Sequence, residues 1–177
     1  MSRAFILGSF STPFGRFASK NHQALAREAI EGVLSDAGLS DGLSITKVYF
    51  GSVLMHMMGQ TMIRGQTCLL PLMESGLLQE RLPIVNVEGA CATGSLALNL
   101  ARKEILAQEE DLVLAIGVEK MYDPADPGNV LKFIEGGLDQ FGRERWMQRY
   151  GEIASAIGGT WAPKPGQSIA MDTYALQ

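Results

Sequence analysis

The order of elements in this 177-residue chain predicts an α/β fold, a layered domain with a mixed, largely parallel sheet. Two patterns carry the prediction. As far as Met121, short apolar and β-branched runs alternate with amphipathic helical stripes, and the run Asp111–Val118 is continuously apolar, as in a parallel strand covered on both faces. After Met121 the character changes, and Asp123-Pro124-Ala125-Asp126-Pro127-Gly128 breaks the alternation.

Arg3–Ser9 reads as a first strand, followed by a loop through Pro13 and Gly15. A helix is expected from about Asn21, a good N-cap, with Leu25, Ala26, Ile30, Val33, Leu34 and Ala37 on one stripe and Gly38 as its stop. Thr46–Leu54 reads as a second strand. A helix then runs from about Thr61 to Glu74, with Pro71 expected to kink or shorten its last turn. Pro83–Val87 is a third, buried strand, and a helix starts at or just after Cys91, apolar nearly all round through Ala101, as if its first half were enclosed by protein. Asp111–Val118 is the fourth strand. The resulting order is β-α-β-α-β-α-β over residues 1–121; residues 122–177 read as a loop or lid segment whose glycines and prolines oppose long regular elements.

A net charge of -4 argues against a nucleic-acid partner, which needs a clustered basic surface. No apolar run approaches bilayer-spanning length and the N-terminus lacks a signal-peptide pattern, so no membrane is expected and a cytoplasmic location is. Cys68 and Cys91 form no Cys-x-x-Cys pair, and with His22 and His56 they match no zinc spacing, so no metal is expected. Cys68, among Thr67, Leu69 and Leu70, reads as a packing residue, His22 as solvated, and His56 as a core or interface histidine. The arginines around Trp146 form a basic-aromatic patch, suited either to the phosphates and adenine of a nucleotide-bearing substrate or to the solvated face of an amphipathic helix.

The turn Gly89-Ala90-Cys91-Ala92-Thr93-Gly94 concentrates the chemistry. It resembles a dinucleotide fingerprint whose middle glycine is replaced by cysteine, so the geometry that displays a phosphate would display a sulfur instead. A thiol at the positive end of a helix is favoured as the thiolate, the form that attacks carbonyls, and its small neighbours leave room for a substrate. Cys91 is therefore the candidate catalytic nucleophile; the competing reading is a small buried cysteine.

With Ser11-Thr12-Pro13-Phe14-Gly15, Gly59-Gln60, Val87-Glu88-Gly89-Ala90-Cys91-Ala92-Thr93-Gly94-Ser95 and Ala115-Ile116-Gly117-Val118-Glu119-Lys120-Met121, the chain resembles the N-terminal part of a thiolase, of the sterol-carrier-protein type. The resemblance implies a layered fold of two similar halves, an acyltransferase acting on acyl-coenzyme A, and no cofactor beyond that coenzyme A thioester as substrate. It implies an acyl group held on Cys91, followed by thiolysis of a 3-ketoacyl-coenzyme A or Claisen condensation, and a dimer or tetramer. It also implies that the segment after Tyr122 helps bind coenzyme A. A thiolase needs a further histidine and a second cysteine from its C-terminal half; neither His22 nor His56 matches, so the chain reads as incomplete, with a complementing half or subunit expected. A non-catalytic thiolase-like subunit and a coenzyme A-ester aldolase or lyase on the same scaffold are the alternatives.

Overall fold

Three parallel strands, β1 (Lys47–Gly51), β2 (Ile84–Val87) and β3 (Val113–Gly117), form a sheet in the order β2-β1-β3. The structure is a computed structural model that describes residues 3–128, 134–164, 169, 170 and 172. The chain divides into two units, Met1–Met121 and Tyr122–Gln177, and the sheet belongs to the first. Four helices accompany it among the described residues: α1 (His22–Asp36), α2 (Arg64–Glu74) and α3 (Thr93–Ala107) in the first unit, and α4 (Arg143–Ala156) in the second.

The strand period of two sorts the core into two layers. Val48, Phe50, Leu114 and Ile116 face Leu25, Ile30 and Leu34 of α1 and Cys68, Leu69 and Leu72 of α2. Tyr49, Val113 and Ala115 face the other way, toward Ala97 and Ala101 of α3. From β1 the chain steps through α2 to β2 on one side; from β2 it passes through α3 to β3 on the other side of β1. Two crossovers of the same hand running in opposite directions place their helices on opposite faces, which gives the α/β/α layering.

The expected α/β class holds, with an entirely parallel sheet among the described strands. Arg3–Ser9 is not a strand. Among the described residues no strand pairs with it, and it is anchored to the end of α1, where Ser9 N–H donates to Asp36 at 2.8 Å and Gly8 lies against Val33 and Ala37. A β-prone run becomes a strand only if a neighbouring edge is free to pair with it. α3 also departs from expectation. Only Thr93, Ala97 and Ala101 are buried, while Leu96 and Leu98 are exposed, so its all-round apolar surface is not enclosed. Likewise β2 is an edge strand with Val85 and Asn86 exposed, and β3 buries alternate residues only.

α1 is capped as its sequence predicts: Asn21 accepts from Ala24 N–H at 2.8 Å, and Gly38, at φ +69°, lets Leu39 N–H return to Leu34 C=O at 2.9 Å. α2 runs through Pro71 without ending there. Proline cannot donate to the Thr67 carbonyl one turn back, and Gln23 of α1 donates to that carbonyl instead, at 2.9 Å. The tertiary partner supplies the bond the helix lacks. Gly65 permits close approach to the sheet, since a Cβ there would lie 2.7 Å from both Phe50 and Ile84.

α4 contradicts the expectation that the second unit lacks long elements. It is opened by Asp139, whose carboxylate accepts from Phe141 and Gly142 N–H and from the Trp146 indole, the last at 2.9 Å. Four consecutive turns form because the glycines and prolines of this unit fall outside Arg143–Ala156, save Gly151.

At the amino end of the sheet Lys47 pairs with Glu104 and Glu110, each at 3.1 Å, and Tyr49 donates to Glu104. The Tyr49 hydroxyl and then Lys47 hold Glu104 below the usual carboxylate range; Thr46 and then Lys47 do the same for Glu110, and both carboxylates push Lys47 up. Depressed carboxylate values mean that this stabilisation is present above about pH 4.3 and is lost as pH falls through the folded values. The raised Lys47 value adds stability below about pH 10.4 that disappears as pH rises through it. The melting temperature should therefore drop between about pH 5 and 3, and Glu104→Gln should flatten that acid limb while lowering the plateau. Gly65→Ala should cost about 1–3 kcal/mol by urea denaturation, because the added methyl overpacks against Phe50 and Ile84.

Candidate active site

The site lies at the carboxyl end of the sheet, where the connections from β1 and β2 leave toward opposite faces. Open α/β sheets offer a crevice at such a reversal. β2 ends at Val87, the chain turns through Glu88 and Gly89 into a 3-10 turn, Ala90–Ala92, and α3 begins at Thr93. Cys91 occupies the middle of that turn and is exposed. The expected strand, tight turn, cysteine and helix are all present, and the buried-cysteine alternative does not hold for this residue.

The turn is held under backbone strain. Ala90 adopts φ +47°, a left-handed conformation that costs a non-glycine residue about 1–2 kcal/mol. Hydrogen bonds on both of its peptide groups offset the cost. The Glu88 carboxylate accepts from Ala90 N–H at 2.6 Å, and the Thr93 hydroxyl donates to Ala90 C=O at 2.7 Å while accepting from Gly89 N–H at 2.9 Å. A bond to a charged acceptor contributes about 1.5–3 kcal/mol and a neutral one about 0.5–1.5, so together they outweigh the strain. The sequence reading missed Glu88 and Thr93. The one available signal was the presence of hydrogen-bonding side chains beside glycine in an otherwise apolar turn.

Glu119, just after β3, shapes the neighbouring loop. Its carboxylate accepts from the Ser52 hydroxyl at 2.6 Å and from Val53 and Leu54 N–H at 2.7 and 3.1 Å, gathering the segment that follows β1. Close by in charge, His22 is buried rather than solvated. Burial lowers its pKa, against the opposing pull of Glu119, and its Nε2 has no hydrogen-bond partner among the described residues. The reason was legible: His22 precedes Leu25 and Ala26 by one helical turn and falls on their stripe. His56 is exposed, with Nδ1 2.9 Å from Val53 C=O, and Met55 takes the core position instead. Among the described residues neither histidine is hydrogen-bonded to Cys91.

Cys68 is buried, its sulfur 3.8 Å from that of Met55, and burial pushes its thiol up to about 12. Both cysteines are free. No cluster of three or more His, Cys, Asp or Glu side chains among the described residues is placed to hold a metal ion. Among the described residues no helix is long and apolar enough to cross a membrane.

In the second unit, the basic-aromatic patch forms on α4. Tyr150 stacks on Trp146 with centroids 6.1 Å apart and meets Trp161 edge-on at 5.5 Å. Arg143 pairs with Glu135 at 3.6 Å and Arg149 with Glu152 at 3.4 Å. Beside them a cavity of about 270 Å³ is lined by Ile134, Leu138, Trp146, Met147, Tyr150 and Ile169. Arg143 and Arg149 thus each face a carboxylate.

Residues 4–130 match the family described as the thiolase N-terminal domain. The acetyl-CoA acetyltransferase of Methanocaldococcus jannaschii is 34% identical over an alignment that covers 96% of this chain and 45% of that protein. The acetyl-CoA acetyltransferase of Methanothermobacter thermautotrophicus is 30% identical over 69% of this chain and 30% of that protein. A probable acetyl-CoA acyltransferase of Staphylococcus aureus is 33% identical, covering 68% and 30% respectively. The chain therefore spans less than half the length of these curated relatives.

Exposure and burial make the two thiols separable. Iodoacetamide at neutral pH should alkylate Cys91 in the folded protein, whereas Cys68 should react only after denaturation, as peptide mapping will show.

Proposed function

Because this chain belongs to the thiolase family, we propose that it carries the nucleophile of an acyl-coenzyme A acyltransferase, with Cys91 as that nucleophile. The observation that best supports this reading is an exposed thiol on a strained strand-to-helix turn at the open, carboxyl end of the sheet. The relatives' names point to a coenzyme A thioester as the substrate.

On this reading the Cys91 thiolate adds to the thioester carbonyl. The carbon–sulfur bond to coenzyme A then breaks, and coenzyme A leaves as a thiolate that takes up a proton. One thioester replaces another, so the step is nearly balanced in energy and runs in either direction. The acyl group next passes to coenzyme A, or to the enolate carbon of a second acyl-coenzyme A, and Cys91 returns as thiolate. A tight turn with small residues on both sides of the sulfur admits the planar thioester at short range.

Among the described residues no histidine or second cysteine is bonded to Cys91, and the pair implied by the family resemblance belongs on this reading to the other half of the fold or to a partner subunit. A dimeric or tetrameric assembly and a cytosolic setting belong to the same proposal; two free cysteines fit a reducing compartment.

Incubation with acetyl-coenzyme A, together with the complementing half, should add one acetyl group to the Cys91 peptide, labile to hydroxylamine and absent from Cys91→Ser. An adduct elsewhere, or none, would sink the assignment. Release of an aldehyde or ketone without acyl transfer would favour the lyase instead.

A further inference from the structure

Thr93 is one of the few buried polar side chains of the first unit, and it is committed in two directions at once. Its hydroxyl bridges Gly89 N–H and Ala90 C=O, the groups on either side of the strained bend before Cys91. Its methyl group rests on Gly51, where an added Cβ would approach it to 2.8 Å. Gly51 ends the central strand and is paired with both Val87 of β2 and Gly117 of β3, so it is tightly fixed backbone.

We propose that Thr93 is the positioning residue for Cys91. Its hydroxyl holds the left-handed bend that aims the sulfur, and its methyl sets the height of that bend above the sheet. The catalytic consequence rests on the acyl-transfer reading; the consequence for thiol reactivity does not.

Removing the hydroxyl but keeping the shape leaves the part-buried Gly89 N–H without its acceptor and takes from Ala90 C=O one of its two donors, the other being Thr93 N–H. That cost is similar in size to the strain at Ala90, so the bend relaxes and the sulfur shifts. A displacement of about 1 Å at a reacting group is enough for a roughly hundredfold loss of rate. Thr93→Ser, in contrast, keeps both hydrogen bonds and leaves only a small gap over Gly51. A residue that merely stabilised the fold would not separate valine from serine in this way.

Three variants test the claim: Thr93→Val, Thr93→Ser, and Thr93→Val combined with Ala90→Gly, in which residue 90 accepts the left-handed conformation without help. Alkylation of Cys91 by iodoacetamide, followed by peptide mapping, should slow at least ~10-fold in T93V, stay within ~3-fold of wild type in T93S, and recover at least ~3-fold in the double variant. Acylation by acetyl-coenzyme A should fall by about a hundredfold in T93V in its maximal rate, with half-saturation nearly unchanged. Wild-type alkylation in folded T93V, equal losses in T93S and T93V, or no recovery in the double variant would each overturn the proposal. If T93V does not fold, Thr93→Ala takes its place with the same expected loss, and wild-type alkylation in T93A refutes the role of the hydroxyl. Should wild-type Cys91 take no acetyl group, the acyl-transfer reading fails while the alkylation series still settles Thr93.

Discussion

Everything in the first unit depends on the pairing of one five-residue strand with two partners distant in sequence. β1 is hydrogen-bonded to β2 on one edge and β3 on the other, and Val48–Gly51 are buried. Because both edges are used, the helices that connect the strands must cross above and below the sheet. That requirement brings α2 to one face and α3 to the other, and it opens the crevice at the carboxyl end of β1 and β2. The cysteine turn lies where it does because β2 ends there.

The two ends of the sheet are organised differently. At the amino end, Lys47, Glu104, Glu110 and Tyr49 form a closed charge cluster that ties the start of β1 to α3 and to the segment before β3. At the carboxyl end, carboxylates are spent on backbone: Glu88 on Ala90, and Glu119 on the loop after Ser52. Charge paired with charge serves stability, whereas a carboxylate accepting from amide N–H groups fixes the path of a loop. The second arrangement leaves the Cys91 thiol exposed.

Strain supports this division. A left-handed alanine next to the candidate nucleophile is tolerable only because both adjoining peptide groups are tied down, one of them by a threonine that the central strand itself supports. The geometry of the turn is thus tied to the sheet through Gly51 and Thr93, and it does not depend on the loop alone.

Much of this was legible in the chain. Asn21 and Gly38 announced both ends of α1, and the apolar runs marked the three strands that formed. The order of glycine, cysteine and a following helix located the candidate nucleophile. Those signals are local: a cap, a period or a turn is written in neighbouring residues. Sequence could not decide that Arg3–Ser9 lacks a strand partner, that Gln23 rescues the carbonyl freed by Pro71, that α3 keeps an exposed apolar face, or that Glu88 and Thr93 hold the bend before Cys91. Each depends on a donor, acceptor or surface brought close by the fold, and such an encounter leaves no period in the sequence. The chain by itself determined which residue could be the nucleophile; the tertiary structure determined what holds it in place, because strain at Ala90 is borne only when the central strand and α3 are already packed together.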